Sequence, residues 1–348
     1  MKILGIETSC DETAMSVIEV SAENNIKVLS NVISSQVKLH AKYGGVVPSL
    51  AAREHVKNIR HVFGLALKEA KVKDFKKEIN AIAVTRGPGL GPALLVGLTF
   101  AKTLAWLNKK TLIGVNHLEG HVYSNWLSSE KMMHIFPALN LIVSGGHTEL
   151  VLMSAHGKHK IIGETLDDAV GEAFDKVARL LGLGYPGGPL ISKLAEKGNP
   201  DKYLLPRPMI KSKNYNFSYS GLKTAVLYLI RNLNPPAGGG KPDKQTKADI
   251  AASFQKAAID VLIQKTMRAA GEFEVKSILL SGGVSANTLL RFNLNKATKE
   301  AGIKYFQPQL EYTGDNAAMI AVAGYFEYKK NKKTASWQSI DMQSNLSF

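Results

Sequence analysis

One ordering of elements occurs twice in this chain and limits its folds more than any other feature. Apolar strands at Lys2–Thr8 and Ala14–Val20 flank the polar stretch Ser9–Glu12, and a third strand follows at Ile26–Ser34. Later come a strand at Ala81–Thr85, the glycine-rich turn Gly87–Gly91 and a helix at Ala93–Leu107. The same order then returns. Strands at Ala138–Val143 and Thr148–Met153 flank the tight turn Ser144–His147, with Lys160–Gly163 beyond. A strand at Lys276–Leu280 runs into Ser281–Gly283 and a helix at Ala286–Ala301. Short Ile/Leu/Val-rich runs around a polar turn read as a hairpin, and a strand, a glycine turn and a helix read as a parallel α/β unit. The chain is therefore expected to be a duplicated α/β protein, with no shorter repeat period.

At 348 residues the chain has room for about two domains. The expected boundaries are 1–135 for the first half and 136–327 for the second, with mainly helical extra material at about 164–270. A basic, polar tail follows at 328–348. In the first half a long helix starts near Ser49, a plausible N-cap, and a strand at Leu112–Val115 leads into a helix carrying His117 and His121. The Pro-Pro and Gly-Gly-Gly runs of Asn234–Lys244 predict a surface loop. Lys329, Lys330, Lys332 and Lys333 read either as a solvated helix end or as a nucleic-acid contact.

Composition removes several classes. With 45% hydrophobic and 21% charged residues, the chain is not disordered, collagenous or fibrous. A net charge of +15 favours an anionic partner, nucleic acid first. The single cysteine, Cys10, excludes an internal disulfide and points to a reducing compartment. The apolar run after Met1 stops at Glu7, and Pro92–Leu107 contains Lys102, so neither a signal peptide nor a membrane span is expected. The expected location is the cytoplasm, with no membrane partner.

Three groups of residues carry chemistry. The turns Gly87–Gly91, Ser144–Thr148 and Ser281–Asn287 let backbone approach a phosphate, and together they favour a nucleotide cleft. None continues as a Walker A motif. His117 and His121, four residues apart, share a helix face and can share a metal; Asp315, at a loop-to-helix junction, is the candidate third ligand. Glu119 stands about 200° around the helix from His117, which disfavours zincin-type peptide hydrolysis. The acidic stretch places Asp167 and Asp168 as helix-terminal charges, and Asp175 beside Gly184–Pro189 as a carboxylate suited to ribose hydroxyls. Asp11 and Glu12 are either plain turn residues or groups that order a substrate amine or a metal-bound water. Cys10 has no base or cation near it in sequence and does not read as a nucleophile.

Taken together, Gly5–Thr13, Arg86–Gly91, His117–His121, Ser144–Glu149, Gly171–Lys176, Phe217–Thr224, Ser281–Asn287 and Asp315-Asn316 resemble the TsaD/Gcp/YgjD family, once labelled O-sialoglycoprotein endopeptidases. The resemblance spans about residues 1–327, is of the bacterial type, and departs from the family only in the 234–244 loop. It implies the duplicated actin/hexokinase/Hsp70-like (ASKHA) fold, two lobes around a nucleotide cleft. It also implies a metal-dependent acyltransferase that modifies tRNA. The threonylcarbamoyl group of threonylcarbamoyl-AMP would pass to the N6 amine of the adenosine 3′ of the anticodon, in tRNAs reading codons that begin with A, with release of AMP.

By the same resemblance, His117, His121 and Asp315 hold one divalent ion, Fe2+ before Zn2+. Ile142, Val143, Ser144, Gly145, Gly146, Asp175, Gly188 and Asn287 line the adenylate site. The implied partners are the paralogue TsaB and the ATPase TsaE, with TsaC supplying the adenylate and a homodimer when TsaB is absent. A mixed anhydride needs an anion cradle and a positioned amine more than a protein nucleophile, so Asp11 and Glu12 are assigned to orienting the amine or taking its proton. Two rivals stand beside this reading, a glycoprotein metalloendopeptidase and a kinase- or chaperone-like ATPase on the same fold.

Overall fold

The computed structural model describes residues 1–23, 25–128, 132, 134–233, 242–330 and 336–348. The chain forms two compact units. One comprises residues 1–133, 156–158 and 308–348, and the other 134–155 and 159–307.

The first unit is built on strands β1 (Lys2–Glu7), β2 (Glu12–Val20) and β3 (Ile26–Ser35), then the short helix α1 (Val37–His40) and the long α2 (Pro48–Glu69). It continues with α3 (Phe75–Glu78), β4 (Ala81–Gly87), α4 (Gly91–Asn108), β5 (Thr111–Asn116) and α5 (His117–Tyr123). The second unit runs β6 (Ala138–Val143), β7 (Thr148–Ala155), β8 (Lys158–Glu164), α6 (Val170–Leu180), α7 (Gly187–Ala195), α8 (Ser220–Leu233) and α9 (Lys244–Glu272). It closes with β9 (Ser277–Ser281), α10 (Thr288–Glu300) and β10 (Lys304–Phe306), after which α11 (Ala317–Lys330) belongs to the first unit.

The duplication is explicit in the sheets. The first is ordered β3-β2-β1-β4-β5 and the second β8-β7-β6-β9-β10. In both, an antiparallel hairpin (β1/β2, β6/β7) sits beside two parallel strands reached by crossovers (β4 and β5, β9 and β10). Parallel pairing demands helical crossovers, and α2 and α4 supply them in the first unit.

Strand periodicity decides which side chains meet which helix. Leu4 and Ile6 of β1 and Ile82 and Val84 of β4 join Ile59, Val62 and Ala66 of α2 and Leu98 and Ala101 of α4 in one core. The alternate residues turn to α11. A Cβ on Gly5 would lie 2.1 Å from the carbonyl oxygen of Ala317, so only glycine lets this helix lie so close on β1. Glu7 falls in the same phase as Gly5, on the face that also carries the start of α11. The second core gathers Leu139, Leu141 and Val143 of β6 with Phe174 of α6 and Phe254 and Leu262 of α9.

Several sequence expectations shift. The long helix starts at Pro48 with Val47 as its N-cap and no side-chain cap, so Ser49 is inside the helix; proline's fixed φ serves its first turn. Residues 308–327, assigned from sequence to the second half, pack in the first unit because α11 covers β1 and β4. Residues 336–348, read as a polar tail, also pack there, and Ile340 is only 6% exposed within the core of α2 and α4. Residues 234–241 of the expected loop, and Lys332 and Lys333, lie outside the described residues. Lys244 is already helical, with Asp243 capping Thr246 N. No helix among the described residues is long and apolar enough to cross a membrane.

Candidate functional site

In the first unit a cluster of chemistry-bearing side chains forms around α5. Asn116 ends β5 and caps the helix, its Oδ1 accepting from Leu118 N at 2.9 Å, so the helix begins at His117. His117 and His121 follow on one face with ring centroids 4.7 Å apart, both buried. Asp315 arrives from the loop before α11. Its neighbour Asn316, fully buried, pins that loop by donating to Tyr312 O and Gly314 O and accepting from Met319 N. One Asp315 Oδ1 lies 3.5 Å from His117 Nε2 and 3.2 Å from His121 Nε2. One ligand atom from each of the three residues falls within 4.8 Å of the others.

The surroundings of the two histidines differ. His117 Nδ1 lies 3.0 Å from Glu7 Oε2 and 3.2 Å from Ser9 Oγ. Glu7, wholly buried, also accepts from Thr85 Oγ1 at 2.6 Å and from Ser9 N at 2.5 Å. Burial alone would push the Glu7 carboxyl up, but His117 holds it below its ordinary value. Burial likewise opposes a charged His117, yet the Asp315 and Glu7 carboxylates overcome it and raise the imidazole to about 9. The Glu7 bond leaves Nε2 of His117 facing Asp315, the carboxylate–histidine arrangement that orients a metal ligand. His121 has no such support behind Nδ1; both its ring nitrogens are buried and make no hydrogen bond among the described residues, and Nε2 faces Asp315.

The turn between β1 and β2 stands beside this cluster. Asp11 is buried and its Oδ2 has no hydrogen-bond partner, whereas Glu12 Oε1 accepts from Ser35 Oγ. Burial, then the Asp315 and Asp11 carboxylates, push the Glu12 carboxyl up to about 9. The same burial and the same carboxylates push the Cys10 thiol far up, which removes it as a nucleophile. The turn's backbone is held from beneath: His55 Nε2 meets Cys10 O at 3.0 Å, and Gln36 N donates to Asp11 O. Burial keeps His55 below its ordinary value, so it is neutral and Nε2–H is the donor.

A second cluster lies in the other unit, around a cavity of about 580 Å³ lined by Gly145, Phe174, Asp175, Gly188, Gly283 and Asn287 among others. Asp175 Oδ1 accepts from Gly187 N at 2.7 Å. Burial raises its carboxyl against the pull of the Gly187 and Gly188 amides. Asn287 caps α10 through Leu290 N and donates to Ser192 Oγ and Gln255 Oε1. Of the stretch Ile142–Gly146, Gly145 lines this cavity, while Ile142 and Val143 are fully buried in β6. Ser144 closes the turn by accepting from His147 N.

One expectation is corrected here. The Gly87–Gly91 turn is no open cradle: Gly89 N donates to Ser344 O, and a Cβ on Gly87 would lie 1.8 Å from Gln343 O. Residues 343 and 344 fill the space a phosphate would need. Asp167 is a helix-terminal charge as expected, at the start of α8 rather than of the nearby α6. Asp167 accepts from Ser218 Oγ, Tyr219 N, Ser220 N and Ser220 Oγ at the start of α8, and Asp168 pairs with Lys176 and Lys223. Sequence reading missed Glu7, Ser9, Asn116 and His55 as supports; the alternation that puts Glu7 in phase with Gly5 was the available signal for the first.

The family described as TsaD: tRNA N6-adenosine threonylcarbamoyltransferase matches residues 27–322. The chain belongs to this family. A relative of that name from Thermosipho africanus (strain TCF52B) is 50% identical over 330 residues, 95% of each chain. One from Bacillus subtilis (strain 168) is 49% identical over 336 residues, 96% of this chain and 93% of the relative. Among solved structures, T. kodakarensis HypF superposes with a TM-score of 0.61 at 16% identity, covering 97% of this chain and 49% of that one. The activator of the 2-hydroxyisocaproyl-CoA dehydratase from Clostridium difficile with bound ADPNP gives 0.51 at 10% identity, covering 97% and 98%. At such identities these two speak to the fold alone, and the fold of this TsaD-family chain is the actin/hexokinase/Hsp70-like one.

Proposed function

We propose that the chain transfers the threonylcarbamoyl group of threonylcarbamoyl-AMP to the N6 amine of the adenosine 3′ of the anticodon, in tRNAs reading codons that begin with A. AMP leaves. The observation that carries this reading, within the family shown, is the His117/His121/Asp315 group. Two imidazoles and a carboxylate suit Fe2+ or Zn2+ equally, and His121, buried with neither ring nitrogen in a hydrogen bond among the described residues and Nε2 facing Asp315, is suited to ligate a cation. When bound, such an ion supplies Lewis acidity to an oxygen of the adenylate.

The remaining chemistry belongs to the chain. The lone pair of N6 attacks the carbamoyl carbon, the bond to the phosphate oxygen breaks with its electrons going to AMP, and N6 loses one proton. Asp11 is the better acceptor for that proton, because its Oδ2 is unengaged while the Glu12 carboxyl, held at about 9, keeps its own at neutral pH. Asp175, Gly188 and Asn287 around the cavity of the second unit take the adenosine of the adenylate, with carboxylate and amide groups for its hydroxyls and ring edges. The net charge of +15 favours a tRNA backbone. TsaB and TsaE are the working partners in the cytoplasm, TsaC supplies the adenylate, and the chain pairs with itself when TsaB is absent.

The test is direct. The purified chain is incubated with TsaB, TsaE, ATP, synthetic threonylcarbamoyl-AMP and unmodified tRNA, and digested nucleosides are read by mass spectrometry. Threonylcarbamoyladenosine from the parent and none from a His117→Ala/His121→Ala variant is the expected result. Product from both variants demotes the histidines, and product from neither, with active partners, ends the transferase reading.

A further inference from the structure

Residues 340–347 lie along the ends of β4 and β5. Ile340 is buried beside Gly114, Gln343 N donates to Arg86 O at 2.8 Å, and Gly89 N donates to Ser344 O at 3.1 Å. The segment then reaches Asn116, whose Nδ2 donates to Ser347 O at 3.1 Å. In an open α/β sheet the carboxyl ends of parallel strands are where ligands bind. Here the chain's own segment occupies that place and ends on the residue that caps α5.

We propose that residues 340–347 are a positioning strap for the His117/His121/Asp315 group, acting through the side-chain amide of Asn116. This rests on the reading of that group as a metal site. Asn116 is held at both ends: Oδ1 receives Leu118 N from α5, and Nδ2 is tied to the strap. Helix α5 has seven residues, too few to be stable alone, so its geometry depends on what fixes its first turn. His121 makes no hydrogen bond among the described residues, so its direction is set by the helix and by the Asp315 carboxylate that faces its Nε2. A second route runs through the turn beneath the strap. Leu90 N donates to Ser9 O at 2.8 Å, and Ser9 Oγ lies 3.2 Å from His117 Nδ1. The strap thus bears on both histidines without touching either. Asn116 is a positioning residue in this scheme.

The experiment measures Zn2+ affinity of the full chain by competition with a chromophoric chelator, beside circular dichroism and thermal melts. Asn116→Ser keeps an oxygen for the cap but cannot reach Ser347 O. Deletion of 345–348 removes the acceptor and keeps Gln343 and Ser344. Each change is expected to weaken Zn2+ binding about 10- to 100-fold with the fold retained, the usual range for loss of an outer partner. Combining them weakens binding no further than one alone, because both cut the same link. Affinity within about twofold of the parent in Asn116→Ser, or strictly additive losses, overturns the strap. Should the deletion fail to fold, Asn116→Ser decides alone. A His117→Ala/His121→Ala variant that binds Zn2+ like the parent overturns the metal reading itself, and the strap with it.

Discussion

The two units carry the same strand, glycine turn and helix, and use them oppositely. After β4, the turn Gly87–Gly91 receives the backbone of residues 343 and 344. After β9, Gly283, Val284, Ala286 and Asn287 line a cavity of about 580 Å³. A glycine turn at a strand end therefore encodes close approach of something to the backbone, and leaves open what approaches. A phosphate and a peptide carbonyl strand make similar demands: exposed amides and no Cβ.

The largest expected effect breaks this contrast from the filled side. Gly87 has φ of +151°, and a Cβ there would meet Gln343 O at 1.8 Å. Gly87→Val combines backbone strain with overpacking against backbone, each costing about 1–3 kcal/mol, so a loss of about 3 kcal/mol or more is expected in urea denaturation. On the open side, a Cβ on Gly188 meets nothing within 4 Å. Gly188→Ala should leave the midpoint unchanged or slightly raised, and weaken AMP binding about tenfold by calorimetry as the methyl enters the cavity. Equal destabilisation by both substitutions would erase the distinction.

That contrast also marks where the sequence was legible. The repeated order of hairpin, crossover and glycine turn follows from local chemistry, and strands such as Ala138–Val143 fall where β-branched and leucine runs put them. His117, His121 and Asp315 were legible because i, i+4 imidazoles and a loop carboxylate form a metal-ligand pattern on their own. Glu7 was hidden because its partners, Thr85 and His117, are 78 and 110 residues away, and a lone glutamate at a strand end has no local signature. The strap was hidden for the same reason. Asp341 to Ser347 is polar in composition, and its bonds to Arg86, Gly89 and Asn116 are made through its backbone, which composition does not encode.

The two hairpins give the next comparison. Glu7, at the end of β1, has His117, Thr85 and Ser9 as partners and stands below its ordinary value. Glu149, near the start of β7 in the other hairpin, has a buried Oε2 with no hydrogen-bond partner among the described residues. Burial, and then the Glu164 carboxylate, push it up to about 7. The folded state therefore holds a proton on Glu149 between about 4.5 and 7 that the unfolded chain has released. Stability contributed by this group is fully present below about 4.5 and falls as pH rises to 7. Glu149→Gln should flatten that part of the stability profile and gain about 1–3 kcal/mol at pH 8 relative to the parent. A profile of unchanged slope in the variant would assign the pH dependence elsewhere.

The smallest effect tests how the strap is held. Lys102 of α4 pairs with Asp341 at 3.2 Å, but Asp341 is 82% exposed. Water screens such a pair, and ordering two mobile side chains offsets much of the attraction, so exposed pairs contribute little. The buried face of Ile340 and the backbone bonds of Gln343 and Ser344 are shielded from that competition. Lys102→Ala should therefore change stability by no more than about 0.5 kcal/mol, and raising salt should leave parent and variant alike. A larger, salt-sensitive loss would mean that charge pins the strap, and that its hold on Asn116 weakens as ionic strength rises.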